Sequence, residues 1–322
     1  MREPDPPAAS ASQAPPPLPP LASVLKSREV EDPVNLWVHR PLAYAFVALI
    51  YRTNITPNQV TLLSMLVGLA AAACWVDGSP AMMVWGGALL WSSAILDGAD
   101  GILARAKRQF SDVGRALDGT ADAVVAAASV GAGFLHIWQH HAQPLHLWLM
   151  PVALVTAVIQ IYLYDYYKES YLQLTNPTWS GVPERLADTR VRLEQLKRER
   201  APWTHIMAAD TYVTLLTNQT AVIARTNPDA NRERFRYHVN ETTARNYRRF
   251  NLGPLRLWTV LSLAPHSYLM SICAMFDRLD VYLWFRAVVA NVLFVVALLW
   301  QRAASARTRR DLEQLGLAPE PV

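Results

Sequence analysis

Charge and cysteine are both scarce in this chain. Asp, Glu, Lys and Arg together make up 17% of its 322 residues, against about a quarter in an ordinary soluble domain. That shortfall excludes a fully water-solvated surface. The apolar residues, 52% of the total, are gathered in long runs that point to lipid. Two cysteines, Cys74 and Cys273, lie within such runs; they exclude a disulfide framework and a thiolate metal site. Residues 1–22 lack the apolar block of a signal peptide. They are rich in Pro, Ala and Ser, and a disordered tail is expected over 1–32. No internal repeat is evident. Aromatic residues are plentiful: 11 Trp and 12 Tyr suit the two membrane–water interfaces. The net charge of +4 is spread over the segments between apolar runs, which fits anionic headgroups and not nucleic acid.

A helix of about 20 apolar residues crosses a bilayer core. Six spans are predicted, at 58–76, 81–105, 113–137, 145–165, 255–276 and 281–301. Residues 33–53 are helical and amphipathic. His39, Arg40 and Pro41 interrupt their apolar run, so a helix lying in the interface is expected there. The fold class is therefore all-α integral membrane, with six transmembrane helices, an N-terminal interfacial helix and a cytoplasmic helical insert. Its parts are the tail 1–32, the interfacial helix with spans 1–4 over 33–167, the insert 168–253, spans 5–6 over 254–303 and a cytoplasmic tail 304–322. The insert is strongly charged and helical in period, with two or three helices starting near Pro183, Pro202 and Pro228. Basic residues set the orientation. Lys107, Arg108, the insert and Arg302, Arg307, Arg309 and Arg310 fall on one side, which puts both termini in the cytoplasm.

The chemistry lies between Leu96 and Asp122. Asp97 and Asp100 are three apart at the end of span 2, and Asp118 and Asp122 are four apart at the start of span 3. Both spacings put the pair on one helical face. A short turn joins the helices, so the acidic faces can meet at the cytoplasmic membrane surface. Four ionised carboxylates cannot sit there unpaired. Divalent metal removes the conflict, and hard oxygen donors select Mg²⁺ or Mn²⁺. Two ions about 3.5–4 Å apart could bridge a diphosphate. Gly101, Ala104 and Gly114 strip side chain from the same faces, so a flat nucleotide could approach the backbone, and Arg105 could pair with phosphate oxygens. Alone, Gly114 or Ala104 would serve helix packing. Their register with four acids and an arginine exceeds what packing needs.

The pattern Asp97-x-x-Asp100-Gly101-x-x-Ala104-Arg105, then eight residues, then Gly114-x-x-x-Asp118-x-x-x-Asp122, resembles the CDP-alcohol phosphatidyltransferase signature at every fixed position. Thr56-Pro57-Asn58-x-x-Thr61 is similar to that family as well. The likeness covers 33–165 and extends to 255–301 only by span count. It implies a homodimer of six-helix subunits whose cavity faces the cytoplasm, in the inner membrane if the source is bacterial. It implies that Asp97, Asp100, Asp118 and Asp122 hold two divalent ions, that Asp122 is also the general base, and that Gly101, Ala104, Arg105 and Gly114 bind the CDP moiety, with Thr61 a weaker candidate. An acceptor hydroxyl would displace CMP from a CDP-alcohol, with CDP-diacylglycerol the expected donor and a small alcohol, such as a polyol phosphate, the acceptor.

Arg245, Arg248 and Arg249, just before span 5, are acceptor-site candidates. Asp165 and Lys168 are read as an ion pair. His136, His140 and His141 are read as interfacial residues at the far end of span 3. Two rival readings are a membrane prenyltransferase, which has more spans and two separate acidic motifs, and a divalent-cation carrier, whose acids belong near the bilayer midplane.

Overall fold

The computed structural model describes residues 17–25, 29–110, 112–176, 186–233 and 240–317, and every regular element among them is a helix. In chain order these are α1 (Leu21–Val24), a π-turn (Asn35–His39) leading into α2 (Arg40–Ile50), α3 (Pro57–Asp77), α4 (Pro80–Lys107), α5 (Asp112–His140) and α6 (His146–Thr175). There follow α7 (Leu186–Arg198), α8 (Trp203–Thr226), α9 (Pro228–Glu233), α10 (Glu241–Val260) and α11 (Leu263–Met275). Last come α12 (Leu279–Trp284), a second π-turn (Phe285–Val289) and α13 (Ala290–Gln314).

Local chemistry sets the ends. Thr56 and Gln59 form a capping box at the start of α3, with Pro57 in the first turn. The same helix stops at Gly78, whose φ of 73° needs no Cβ. Asn240 and Thr243 cap α10 in the same reciprocal way.

Among the described residues, five helical stretches are long and apolar enough to cross a membrane: Pro57–Asp77, Ala116–His140, His146–Thr175, Glu241–Met275 and Leu279–Gln314. The chain is an integral membrane protein. Its outward surface carries large apolar side chains such as Leu66, Trp85, Trp148, Val158, Val292 and Leu299, as a lipid-facing surface requires. Six spans are expected from the sequence, and α4 accounts for the difference. At 28 residues it is long enough, but glycines, serines and the charges from Asp97 onward dilute its apolar character. It packs against α2, α3 and α11. A Cβ on Gly87 would stand 2.6 Å from the Ser271 carbonyl oxygen of α11, a close approach that only glycine permits. The expected fifth span, 255–276, is broken at Leu261 and Ser262 into the end of α10 and all of α11.

Three apolar clusters hold the helices. Trp75, Met83, Leu90, Ile137 and Met270 join α3, α4, α5 and α11. Tyr167, Tyr171, Tyr247 and Trp258 join α6 to α10. Val24, Val47, Val60, Ile102 and Leu103 join α1, α2, α3 and α4. The last cluster corrects the expected disordered tail where residues are described: 1–16 lie outside them, but 17–25 and 29–32 are folded. Val24 and Val30 are buried. Tyr44 donates to the Pro19 carbonyl at 2.9 Å, and the Asp32 carboxylate accepts from the Asn35 amide at 2.9 Å and the Tyr268 hydroxyl at 2.8 Å.

In the expected insert, Pro202 precedes α8 and Pro228 opens α9, while Pro183 lies outside the described residues. α8 is tied to the membrane helices. Gln219 donates to the Tyr162 carbonyl of α6 at 2.9 Å, and buried Asn227 donates to the Ser305 hydroxyl of α13 at 3.1 Å. Helix α10 runs unbroken across position 253.

Candidate active site

Helices α4 and α5 both pack on α3 and bring their acidic ends together. The reversal uses Arg108, at φ 54°, to end α4 before α5 begins at Asp112. One carboxylate oxygen from each of Asp97, Asp100 and Asp118 lies within 4.8 Å of the other two. The Asp122 carboxyl lies next to that of Asp97. All four predicted acids therefore come together. Thr61 on α3 donates to Asp100 Oδ2 at 2.5 Å and so fixes that carboxylate from behind. Ser64, one turn on, donates to the Thr61 carbonyl at 2.8 Å.

The arrangement fits a divalent cation on the chemistry of its donors. Every donor is a carboxylate oxygen, the set converges from two helices, and Asp100 is only 7% exposed. Like charges held this close and this dry repel strongly, and a hard dication is the natural counter-charge.

The residues expected to bind the nucleotide lie beside the acids. A Cβ on Gly101 would stand 3.3 Å from both terminal nitrogens of Arg105, so the guanidinium lies over the bare backbone there. Arg105 Nε also donates to the Val24 carbonyl, which ties the folded N-terminal segment to this side of α4. Ala104 and Gly114 are half-buried.

On the other side a cavity of about 560 Å³ reaches Asp97, Gly98 and Asp122. Gly101, Ala104, Arg105 and Gly114 are not among its lining residues. Of the four acids, Asp97 and Asp122 line the cavity and Asp100 and Asp118 do not.

Two cationic side chains in the cavity wall have no part in the sequence motif. Arg40 pairs with Glu31 at 2.9 Å and donates to the Gly98 carbonyl at 3.3 Å. Lys168 pairs with Asp165 at 2.8 Å, as read from the sequence, and sits 5.1 Å from the centre of the Tyr164 ring. Their signals are visible in the chain: Arg40 interrupts the apolar run of 33–53, and Lys168 follows Asp165 by one turn. Neither signal says which way the side chain faces. His39 and His266 also line the cavity and are buried.

Arg245, Arg248 and Arg249 are not in that wall. Arg245 pairs with Glu241 at 3.2 Å on an exposed face, Arg248 pairs with Glu29 at 3.1 Å, and Arg249 lies over the Phe250 ring at 5.2 Å. Their place just before span 5 in the sequence does not put them in that wall; α10 sets these side chains against Glu241, Glu29 and Phe250.

Fold and site together define a class: an all-helical membrane protein that brings four carboxylates together beside a cavity. The pattern of one family, CDP-alcohol phosphatidyltransferase, matches residues 54–224, just over half of the chain. The chain belongs to that family, whose members use a CDP-alcohol donor and an alcohol acceptor. It is also similar to the bifunctional IPC transferase and DIPP synthase of Aquifex aeolicus (strain VF5), with 34% identity over 123 residues, or 37% of this chain and 26% of the relative. The match thus spans about a quarter of the relative's length.

Proposed function

We propose that this chain transfers a phospho-alcohol group from a CDP-alcohol to an acceptor hydroxyl and releases CMP. The observation that carries the proposal is the meeting of the Asp97, Asp100 and Asp118 oxygens within 4.8 Å, with Asp122 in contact with Asp97 and open to the cavity. Asp97, Asp100, Asp118 and Asp122 would hold two divalent ions, Mg²⁺ or Mn²⁺. When bound, such ions neutralise diphosphate charge and stabilise the leaving phosphate.

The remaining roles belong to the chain's own groups. Gly101, Ala104 and Gly114 leave room for the CDP moiety against the backbone, and Arg105 pairs with its phosphate oxygens. The acceptor enters from the cavity side. Asp122 takes the proton from the acceptor hydroxyl, the oxygen attacks the phosphorus bearing the donor alcohol, and CMP departs on the opposite side. Thr61 keeps Asp100 oriented. Lys168 and Arg40, not Arg245, Arg248 or Arg249, are the cations that an acceptor phosphate would meet in the cavity.

CDP-diacylglycerol is the proposed donor and a phosphorylated polyol the proposed acceptor. Support for the acceptor comes from the two cations in the cavity wall. Helix α4 is the sixth span of the proposed topology, residues 33–53 lie in the interface, and the acids and both termini face the cytoplasm. The active unit is proposed to be a homodimer. The test is direct. Purified chain in detergent is given Mg²⁺ or Mn²⁺, CDP-diacylglycerol or water-soluble CDP-alcohols, and a panel of alcohols and polyol phosphates. CMP is measured, and products are read by mass. Release of CMP with a phosphodiester product is expected. Failure to release CMP from any donor, with divalent-ion flux in vesicles, would replace the transferase by a carrier.

A further inference from the structure

At the far end of α5, about 27 Å from Asp118 at the helical rise of eighteen residues, a second cluster of ligand-type side chains comes together. His136 belongs to the last turns of α5, His141 follows the end of that helix, and Asp277 lies in the turn between α11 and α12. Their ligand atoms all lie within 4.8 Å of one another. His136 Nε2 stands 2.6 Å from Asp277 Oδ1, and His141 Nε2 stands 3.5 Å from the same oxygen. One carboxylate oxygen thus faces two imidazole nitrogens, and only the nearer of them makes a hydrogen bond of normal length.

From this geometry we infer a second metal site, distinct from the catalytic acids, that takes a divalent transition ion such as Zn²⁺ through His136, His141 and Asp277. Two imidazoles and a carboxylate are a donor set for zinc, and a hard ion such as Mg²⁺ prefers oxygen alone. The ligand-bearing segments are held in place from outside. His136 is fully buried, and His140 stacks on it with ring centres 4.4 Å apart. Asp277 is in the left-handed region at φ 53°, a conformation unusual for a residue with a side chain, and that conformation turns its carboxylate toward the imidazoles. Gly78, at the α3–α4 turn, gives up its side chain to the same cluster: a Cβ there would stand 2.9 Å from the His140 ring. Three connections on one side of the bundle therefore close on the same point. An ion there ties the end of α5 to the α11–α12 turn.

The test uses the full chain, purified without a histidine tag, saturated with Mg²⁺ and equilibrated with Zn²⁺ before gel filtration. Wild type is expected to retain one zinc per chain that His141→Ala and Asp277→Gly do not, with zinc affinity at least tenfold weaker in each. Co²⁺ in place of zinc should give the visible absorption of a nitrogen-ligated ion in wild type only. Glycine accepts the backbone conformation of Asp277 at no steric cost, and His141 lies outside the helix, so both variants should fold and release CMP within about twofold of wild type. Equal zinc retention in wild type and variants, or no retained zinc in any of them, would overturn the site.

Discussion

The two ends of α5 carry the same kind of construction with different donors. At one end Asp118 and Asp122 join acids from the adjacent helix, and every donor is oxygen. At the other, His136 and His141 meet one carboxylate from a turn 141 positions away from His136. The acid end borders a cavity of about 560 Å³, and the histidine end closes a set of connections. Donor chemistry and access together, not the presence of a cluster, are the grounds on which different roles are proposed for the two ends.

The comparison breaks most readily at the acids. Asp118→Asn or Asp97→Asn is expected to lower CMP release by about a thousandfold or more, equivalent to about 4 kcal/mol of transition-state stabilisation. The variants should still insert and elute as wild type does. Near-normal CMP release by either would remove the metal-site reading. Asp122→Asn should lower turnover by about a hundredfold or more, the scale of general-base catalysis, while CDP binding by calorimetry changes far less. Lost CDP binding at an unchanged maximal rate would contradict the base.

Smaller effects sharpen the picture on the cavity side. Lys168→Ala is expected to raise the acceptor KM about tenfold for a phosphorylated acceptor, as loss of a charged hydrogen bond predicts, and to leave a neutral acceptor nearly unaffected. Thr61→Val removes the 2.5 Å bond to Asp100 and should cost turnover roughly fivefold, with a higher Mg²⁺ requirement. Arg245→Ala, on an exposed face and paired with Glu241 of its own helix turn, should change acceptor KM by less than about twofold. A large effect there would return the acceptor site to the α10 arginines.

Legibility followed sequence distance. Asp97, Asp100, Asp118 and Asp122 fall within one hairpin of helices, and their spacing alone puts each pair on one face. Thr61 was legible as part of a helix-start motif, but its bond to Asp100 joins α3 to α4. Arg40 was visible only as an interruption of an apolar run, and Lys168 only as half of an ion pair. The histidines looked like interface residues because nothing near them in the chain announced Asp277. The fold shows the same gradient. Long apolar helices were readable, whereas the break at Leu261 and Ser262 and the packing of Val24 against α4 depend on neighbours far along the chain.

By itself the sequence determined a membrane-embedded helical bundle and a hairpin with its acids paired on helical faces, because composition and helical periodicity act over a few turns. Only the tertiary structure decided which cations face the cavity, which arginines turn away from it, and that two histidines and an aspartate converge at the opposite end. Those outcomes depend on which helix faces pack together, and side chains far apart in the chain become neighbours only through that packing.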